Sequence, residues 1–133
     1  MKIKAVLTQA EVQKILAAAR NEAQAHQWNV SIAIADDGGH LLALERLDDS
    51  APFTAYIAIE KARTAALGRR ESKVFEDMVN GGRTSFLAAP LVMPLEGGVP
   101  IIVDGQVVGA VGVSGVKSEE DAQIAKAGIR ALE

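Results

Sequence analysis

Two Asp-Gly turns, each set between short apolar runs, constrain the fold more than any other feature of the chain. The first, Asp36-Asp37-Gly38-Gly39, lies between Val30–Ala35 and His40–Leu47. The second, Asp104-Gly105, separates Val99–Val103 from Gln106–Ser114. Glycine accepts positive φ without a Cβ clash, so Asp-Gly between β-branched runs closes an antiparallel hairpin. Two hairpins call for an antiparallel sheet with helices packed on it.

The helices are read from spacing and caps. Thr8-Gln9-Ala10-Glu11 is a capping box, and Val12, Ile15, Leu16, Ala19 and Ala23 follow at helical intervals. A first helix is expected from Thr8 to Gln27, with His26 on the face of Ile15 and Ala19. Pro52 suits a helix start, because its missing N–H would be unpaired there. A second helix is expected from Pro52 to Gly68, apolar nearly all round and so buried on more than one side. Ser72 caps a shorter helix, Lys73 to Asn80, with Val74, Met78 and Val79 inward and Gly81-Gly82 after it. A short strand is expected near Leu91–Met93. Ser118-Glu119-Glu120-Asp121 opens a last helix, with its acids at the positive end of the helix dipole. The predicted order is α-β-β-α-α-β-β-β-α, an α/β chain of the α+β type, and one domain spans residues 1–133.

Composition narrows the function. At 133 residues the chain fits one ordinary domain. Aromatic residues make up only 4%, so the core must be Ala, Val, Ile and Leu, and base-stacking surfaces are scarce. The net charge of −3 argues against nucleic-acid binding through phosphate neutralisation. Lys61, Arg63, Arg69, Arg70 and Lys73 form the densest basic cluster, interrupted by Glu60 and Glu71. A solvated helix face is the simpler reading, and an anion contact is the alternative. With no cysteine there is no disulfide framework, thiolate zinc site or Cys nucleophile. No apolar run approaches the roughly 20 residues of a membrane span. The opening Met1–Leu7 is too short for the core of a signal peptide. The default expectation is cytoplasmic, with a mature form cut from its leader left open.

Gly109-Ala110-Val111-Gly112-Val113-Ser114-Gly115 loosely resembles a dinucleotide fingerprint, but it lies within a hairpin strand rather than between strand and helix. No phosphate-cradling lysine loop and no nucleophile elbow are present. Gly109 and Gly112 inside a strand point to close approach by backbone or ligand. Ser114 ends that strand, where a hydroxyl meets a ligand or simply forms a turn. His26 and His40 are the only histidines, too few for a zinc site of histidines. One imidazole is enough for haem iron. His40 is either a solvent-facing residue after a turn or a ligand at a strand end. Glu60 and Lys61 in an apolar helix must find a partner, the solvent edge or a ligand.

The run Gly97-Gly98-Val99-Pro100-Ile101, then Asp104-Gly105, then Val108–Gly115, resembles the signature of the GlcG/HbpS-like family, which includes the C-terminal domain of PduO-type proteins. Asp36–Leu42 with Arg46-Leu47-Asp48 is similar to the family's first hairpin. Glu60-Lys61-Ala62-Arg63-Thr64-Ala65 is similar to its central helix. The resemblance covers essentially the whole chain. It implies an antiparallel five-stranded sheet of a broadly profilin-like kind, homo-oligomers built through helices, and haem binding. On it, His40 is the expected iron ligand and His26 the second choice. Lys61, Arg46, Gly97, Gly98, Pro100 and Ser114 are the further candidate contacts.

Three functions follow from these readings. One is a small-molecule binding protein whose ligand is haem or a related tetrapyrrole, with Lys61, Arg63 or Arg83 near the propionates. The second is an enzyme or accessory factor on a small oxygenated acid or aldehyde, as in glycolate or diol metabolism. There Lys61 and Arg46 would hold a carboxylate and His40 would act as base. The third is a structural oligomer or a sensing module.

Overall fold

A computed structural model describes all residues, Met1–Glu133. The chain forms α1 (Gln9–Ala25), β1 (Ser31–Asp36), β2 (Leu41–Arg46), α2 (Phe53–Gly68), α3 (Lys73–Asn80), a 3-10 turn (Thr84–Ala88), β3 (Gly98–Val103), β4 (Gln106–Ser114) and α4 (Ser118–Arg130). Both Asp-Gly hairpins are present. They join through β1 and β4 into one antiparallel sheet of order β2-β1-β4-β3.

The sheet has four strands, not the five expected. The segment near Leu91–Met93 makes no ladder. Leu91 has a positive φ of 61°, and the Met93 N–H donates to Thr64 Oγ1 of α2 at 2.8 Å rather than to a strand. Pro90 and Pro94 flank it and have no N–H to offer a neighbour. Three apolar residues between prolines imitate a strand in sequence without the donors to build one. A smaller correction concerns α3. Its buried residue is Phe75, which packs on Gly68 and stacks on Phe86, while Val74, Met78 and Val79 are half-buried.

The two faces of the sheet are packed differently. Strand alternation sends Ile32, Ile34, Val111 and Val113 toward α1 and α4, where they meet Val12, Ile15, Leu16, Ala19, Ile124 and Ala125 in the main core. Fully burying each such Ile or Val contributes about 2 kcal/mol. The other face is floored by Ser31, Ala33, Ala35, Ala110, Gly112 and Ser114, and it receives α2 through Ala58, Ala62, Ala65 and Ala66. These small residues bring helix and sheet backbones together. A Cβ on Gly112 would lie 2.1 Å from the Ala58 carbonyl oxygen and 2.4 Å from the Ala62 nitrogen. The glycine that weakens β4 as a strand thus seats α2.

The outer stripe of α2 is left open. Phe53, Tyr56 and Leu67 are exposed, and so are Leu41, Leu42 and Leu44 on the edge strand β2. The sequence reading buried α2 on more than one side; within this chain the sheet covers one side, and Thr64 is buried beneath the Met93 segment. No helix is long and apolar enough to cross a membrane.

Candidate functional site

The residues singled out in the sequence gather at two opposite ends of the sheet. β1 runs from Ser31, opposite Arg46 and Ser114, to Asp36, opposite Gly109. Five residue steps of strand separate those ends, about 17 Å. Arg46 and Ser114 stand at one end, and His40 stands at the other.

At the hairpin end, the Asp36 carboxylate organises the turn. Its Oδ1 accepts the backbone N–H of Gly38 and of His40, each at 2.9 Å, and lies 3.1 Å from His40 Nδ1. This bond places the imidazole proton on Nδ1 and leaves the Nε2 lone pair outward. The side chain is 81% exposed. Arg63 and Leu67 of α2 pack under the turn at Gly39. Arg69 Nη1 donates to the Asp37 carbonyl at 2.5 Å. Lys4 pairs with the Asp37 carboxylate, and that hydrogen bond holds its pKa below the ordinary carboxylate range. His40 itself touches the Asp36 carboxylate and stands beside exposed Leu41 and Leu67, while the cations of this end are engaged, Arg63 with Glu60, Lys4 with Asp37 and Arg69 with the Asp37 carbonyl.

The other end holds a polar cleft in two adjoining lobes that share Gln27, Asn29 and Asp49. One lobe, about 530 Å³, is lined also by Phe53, Thr54, Ser114 and Gly115. The other, about 490 Å³, is lined by Arg20, Trp28, Glu45 and Arg46 among others. Arg20 is forked onto Glu45, and Arg46 Nε donates to the Ser50 carbonyl. The Thr54 hydroxyl donates to the Ala51 carbonyl at 2.7 Å, so at 2.9 Å it accepts from Ser31. His26 stacks on Trp28 with ring centroids 4.2 Å apart, and its Nε2 lies 3.3 Å from Glu22. The Gln123 amide, with His26 second, holds the Glu22 pKa down.

Lys61 lies inside the molecule. Its Nζ donates to the Val113 carbonyl at 2.9 Å and to Asp121 Oδ2 at 3.1 Å, and both side chains are almost wholly buried. Desolvation pushes the Asp121 carboxyl up to about 6 against the pull of Lys61 and a bond from the Val116 N–H. Gly97 makes room for this ammonium, since a Cβ there would lie 2.7 Å from Nζ. Gly98 lies against the Lys61 backbone and donates its N–H to Ser72 Oγ. Pro100 sits half-buried on the edge strand β3, beside Lys126 and Arg130 of α4. Lys61, Gly97 and Gly98 thus form one internal joint, and Lys61 and Arg46 do not converge with His40.

The fold and this joint carry the residues in which the family resemblance was read. A family model described as Haem degrading protein HbpS-like matches residues 7–130. The chain belongs to the HbpS-like family.

The family has curated and structural relatives that cover nearly the whole chain. Protein GlcG of Escherichia coli strain K12 is 65% identical over 114 residues, which is 86% of this chain and 85% of GlcG. A crystal structure of HbpS superposes with a TM-score of 0.90 at 28% identity, over 100% of this chain and 94% of that one. A crystal structure of a PduOC:heme complex gives 0.86 at 29% identity, over 96% and 95%.

Sequence reading missed several partners. Asp121 was read only as a helix-dipole acid, although a lysine in an apolar helix demands such a partner. Asp36 was read as a turn former, and its four-residue spacing from His40 was the available signal. Gln27, Trp28, Asn29 and Thr54 gave none, because the cleft they line exists only after α1 and α2 pack.

Proposed function

We propose that this HbpS-like protein binds haem at the β1–β2 hairpin, with His40 as an iron ligand. The observation that carries this reading is the Asp36–His40 contact at 3.1 Å. A carboxylate on Nδ1 fixes the orientation of the ring with Nε2 facing outward, the usual arrangement behind a metal-ligating histidine. His26 is the weaker candidate, because its Nε2 faces Glu22 and its ring lies on Trp28. The surroundings of His40 suit the rest of the ligand: Leu41 and Leu67 offer apolar contact, and Arg63 and Arg69 offer charge for propionates. Bound haem would supply an iron centre with one protein ligand from the hairpin. The solved haem complex of a family neighbour supports a tetrapyrrole over other flat ligands.

His40 lies outside every cleft of the chain, on an open surface. A second copy, packing through the uncovered Tyr56 and Leu67 of α2, supplies the missing apolar cover in this reading. The small-acid enzyme reading draws less support, since Lys61 is committed to Asp121 and Arg46 stands a strand's length from His40.

The test is a hemin titration followed by the Soret band, with wild type, His40→Ala and His26→Ala. The expected result is a saturable, shifted band that is lost in His40→Ala and kept in His26→Ala. A weak, non-saturating response in all three overturns the proposal.

A further inference from the structure

The polar cleft lies a strand's length from His40, and haem binding makes no use of it. From its lining we infer that the Ser114 lobe is a second ligand site, for an uncharged polyhydroxy compound of polyol or monosaccharide size.

The lobe is a built site rather than a surface dent. Ser114 is only 7% exposed, and what remains of its surface opens onto the cleft. Its hydroxyl joins none of the hydrogen bonds that tie this end of the sheet together, whereas Ser31, Ser50 and Thr54 are all engaged. A nearly buried hydroxyl without a partner loses hydrogen-bond energy unless a ligand or water supplies one. The first turn of α2 walls the same space, its Thr54 and Ala55 N–H groups already held by the Ala51 and Pro52 carbonyls. The opposite wall is fixed: Gln27 and Asp49 both sit at positive φ, 58° and 66°, in tight corners of the backbone.

The lining decides the ligand class. The side-chain donors and acceptors facing this lobe are the Gln27 and Asn29 amides, the Ser114 hydroxyl and the Asp49 carboxylate, with the Phe53 ring at one side. No lysine, arginine or histidine lines it, so a carboxylate or phosphate ligand would meet a like charge and no counter-charge. One carboxylate with neutral neighbours falls short of the several oxygen ligands a hard cation needs. Amides give both donors and acceptors, a hydroxyl gives both, and a carboxylate accepts only. A molecule bearing several hydroxyls, each of which donates and accepts, satisfies that mixture. The volume of about 530 Å³ suits such a molecule. The adjoining lobe is charged instead, with Arg20 forked onto Glu45 and Arg46 held by the Ser50 carbonyl, so the uncharged ligand is assigned to the Ser114 lobe alone.

The experiment is an amide NMR titration of the full chain with sorbitol and, separately, with sodium lactate. The expected result is saturable shifts at Gln27, Asn29, Ser114 and Gly115 with sorbitol, and a Kd on the order of 1 mM. Asp49→Asn keeps a residue that tolerates the left-handed backbone, and it weakens sorbitol on the order of tenfold. Ser114→Ala weakens it about threefold. His40→Ala leaves it unchanged, which separates this site from the haem reading. The inference is overturned if sorbitol shifts do not saturate, if lactate binds these residues more tightly than sorbitol, or if both cleft variants bind sorbitol like wild type.

Discussion

Lys61 on one side of the sheet and Asp121 on the other are joined by a 3.1 Å ion pair that is almost wholly buried. Lys61 belongs to α2 and Asp121 to the first turn of α4, so the pair ties the two helical layers together around the end of β4. The same ammonium holds the Val113 carbonyl, and the same carboxylate holds the Val116 N–H. Every side-chain nitrogen or oxygen wholly shut off from solvent has a partner, and this joint is the most demanding instance.

Breaking one half of the pair costs more than replacing both. Asp121→Leu or Lys61→Met leaves the other group buried with its partner removed, at about 3 kcal/mol each. The double variant Lys61→Met/Asp121→Leu is expected to be more stable than either single one. Urea unfolding of the four proteins measures this as a double-mutant cycle.

The same carboxylate gives the stability a pH signature. Burial holds Asp121 at about 6 in the folded state, against 3.8 for a carboxyl in the unfolded chain. Between those values the folded protein binds a proton that the unfolded chain does not. The contribution of Asp121 to stability therefore grows as pH falls through 6 toward 4 and is lost as pH rises through 6. Wild type should gain on Asp121→Asn by roughly 2 kcal/mol between about pH 7 and about pH 4. Unfolding midpoints of the two proteins across that range check the sign.

Gly112 is expected to be the least replaceable glycine in the sheet. A methyl group there meets the backbone of Ala58 and Ala62, which cannot move without lifting α2. Gly112→Ala should cost about 3 kcal/mol or more. Gly105→Ala serves as the comparison. Nothing lies within 4 Å of its Cβ position, so only its positive φ of 75° is penalised, by about 1 kcal/mol. Thermal unfolding of both variants separates the two causes.

Gly38 sets the pose of His40. A Cβ on Gly38 would fall 2.9 Å from His40 Cε1 and 3.0 Å from Nδ1, so Gly38→Ala displaces the imidazole from Asp36. The obstacle is the end of a flexible, exposed side chain, so the fold should lose under about 1 kcal/mol beyond the usual surface effect. Hemin affinity should fall by roughly tenfold or more, as it should for Asp36→Asn. Calorimetry together with hemin titration tells the loss of pose from a loss of fold.

Much of this architecture was legible in the chain. Asp-Gly pairs announce their own backbone, so both hairpins were readable, and so were the four helices, although Ser72 does not cap α3: its hydroxyl donates to the Leu95 carbonyl and accepts the Gly98 N–H. The Leu91–Met93 segment misled because apolarity was visible and the lack of ladder donors was not weighed. Phe75 was missed because the alternation of Val74, Met78 and Val79 looked inward, while the glycine that receives Phe75 lies back at Gly68. Lys61 was correctly marked as a charge in need of a partner. That partner is 60 residues away on the other side of the sheet, a distance no local pattern spans. The two ends of the sheet were likewise invisible: His40 and Arg46 sit six residues apart in sequence, and an extended strand holds them apart in space.

The central claim is that His40 ligates haem iron, and imidazole rescue tests it most directly. Hemin would be added to wild type and to His40→Ala, and the absorption and resonance Raman spectra recorded before and after free imidazole is supplied. The prediction is a histidine-ligated spectrum in wild type, its loss in His40→Ala, and its return when imidazole fills the space the side chain left. A His40→Ala complex with the wild-type spectrum before imidazole is added would contradict the assignment.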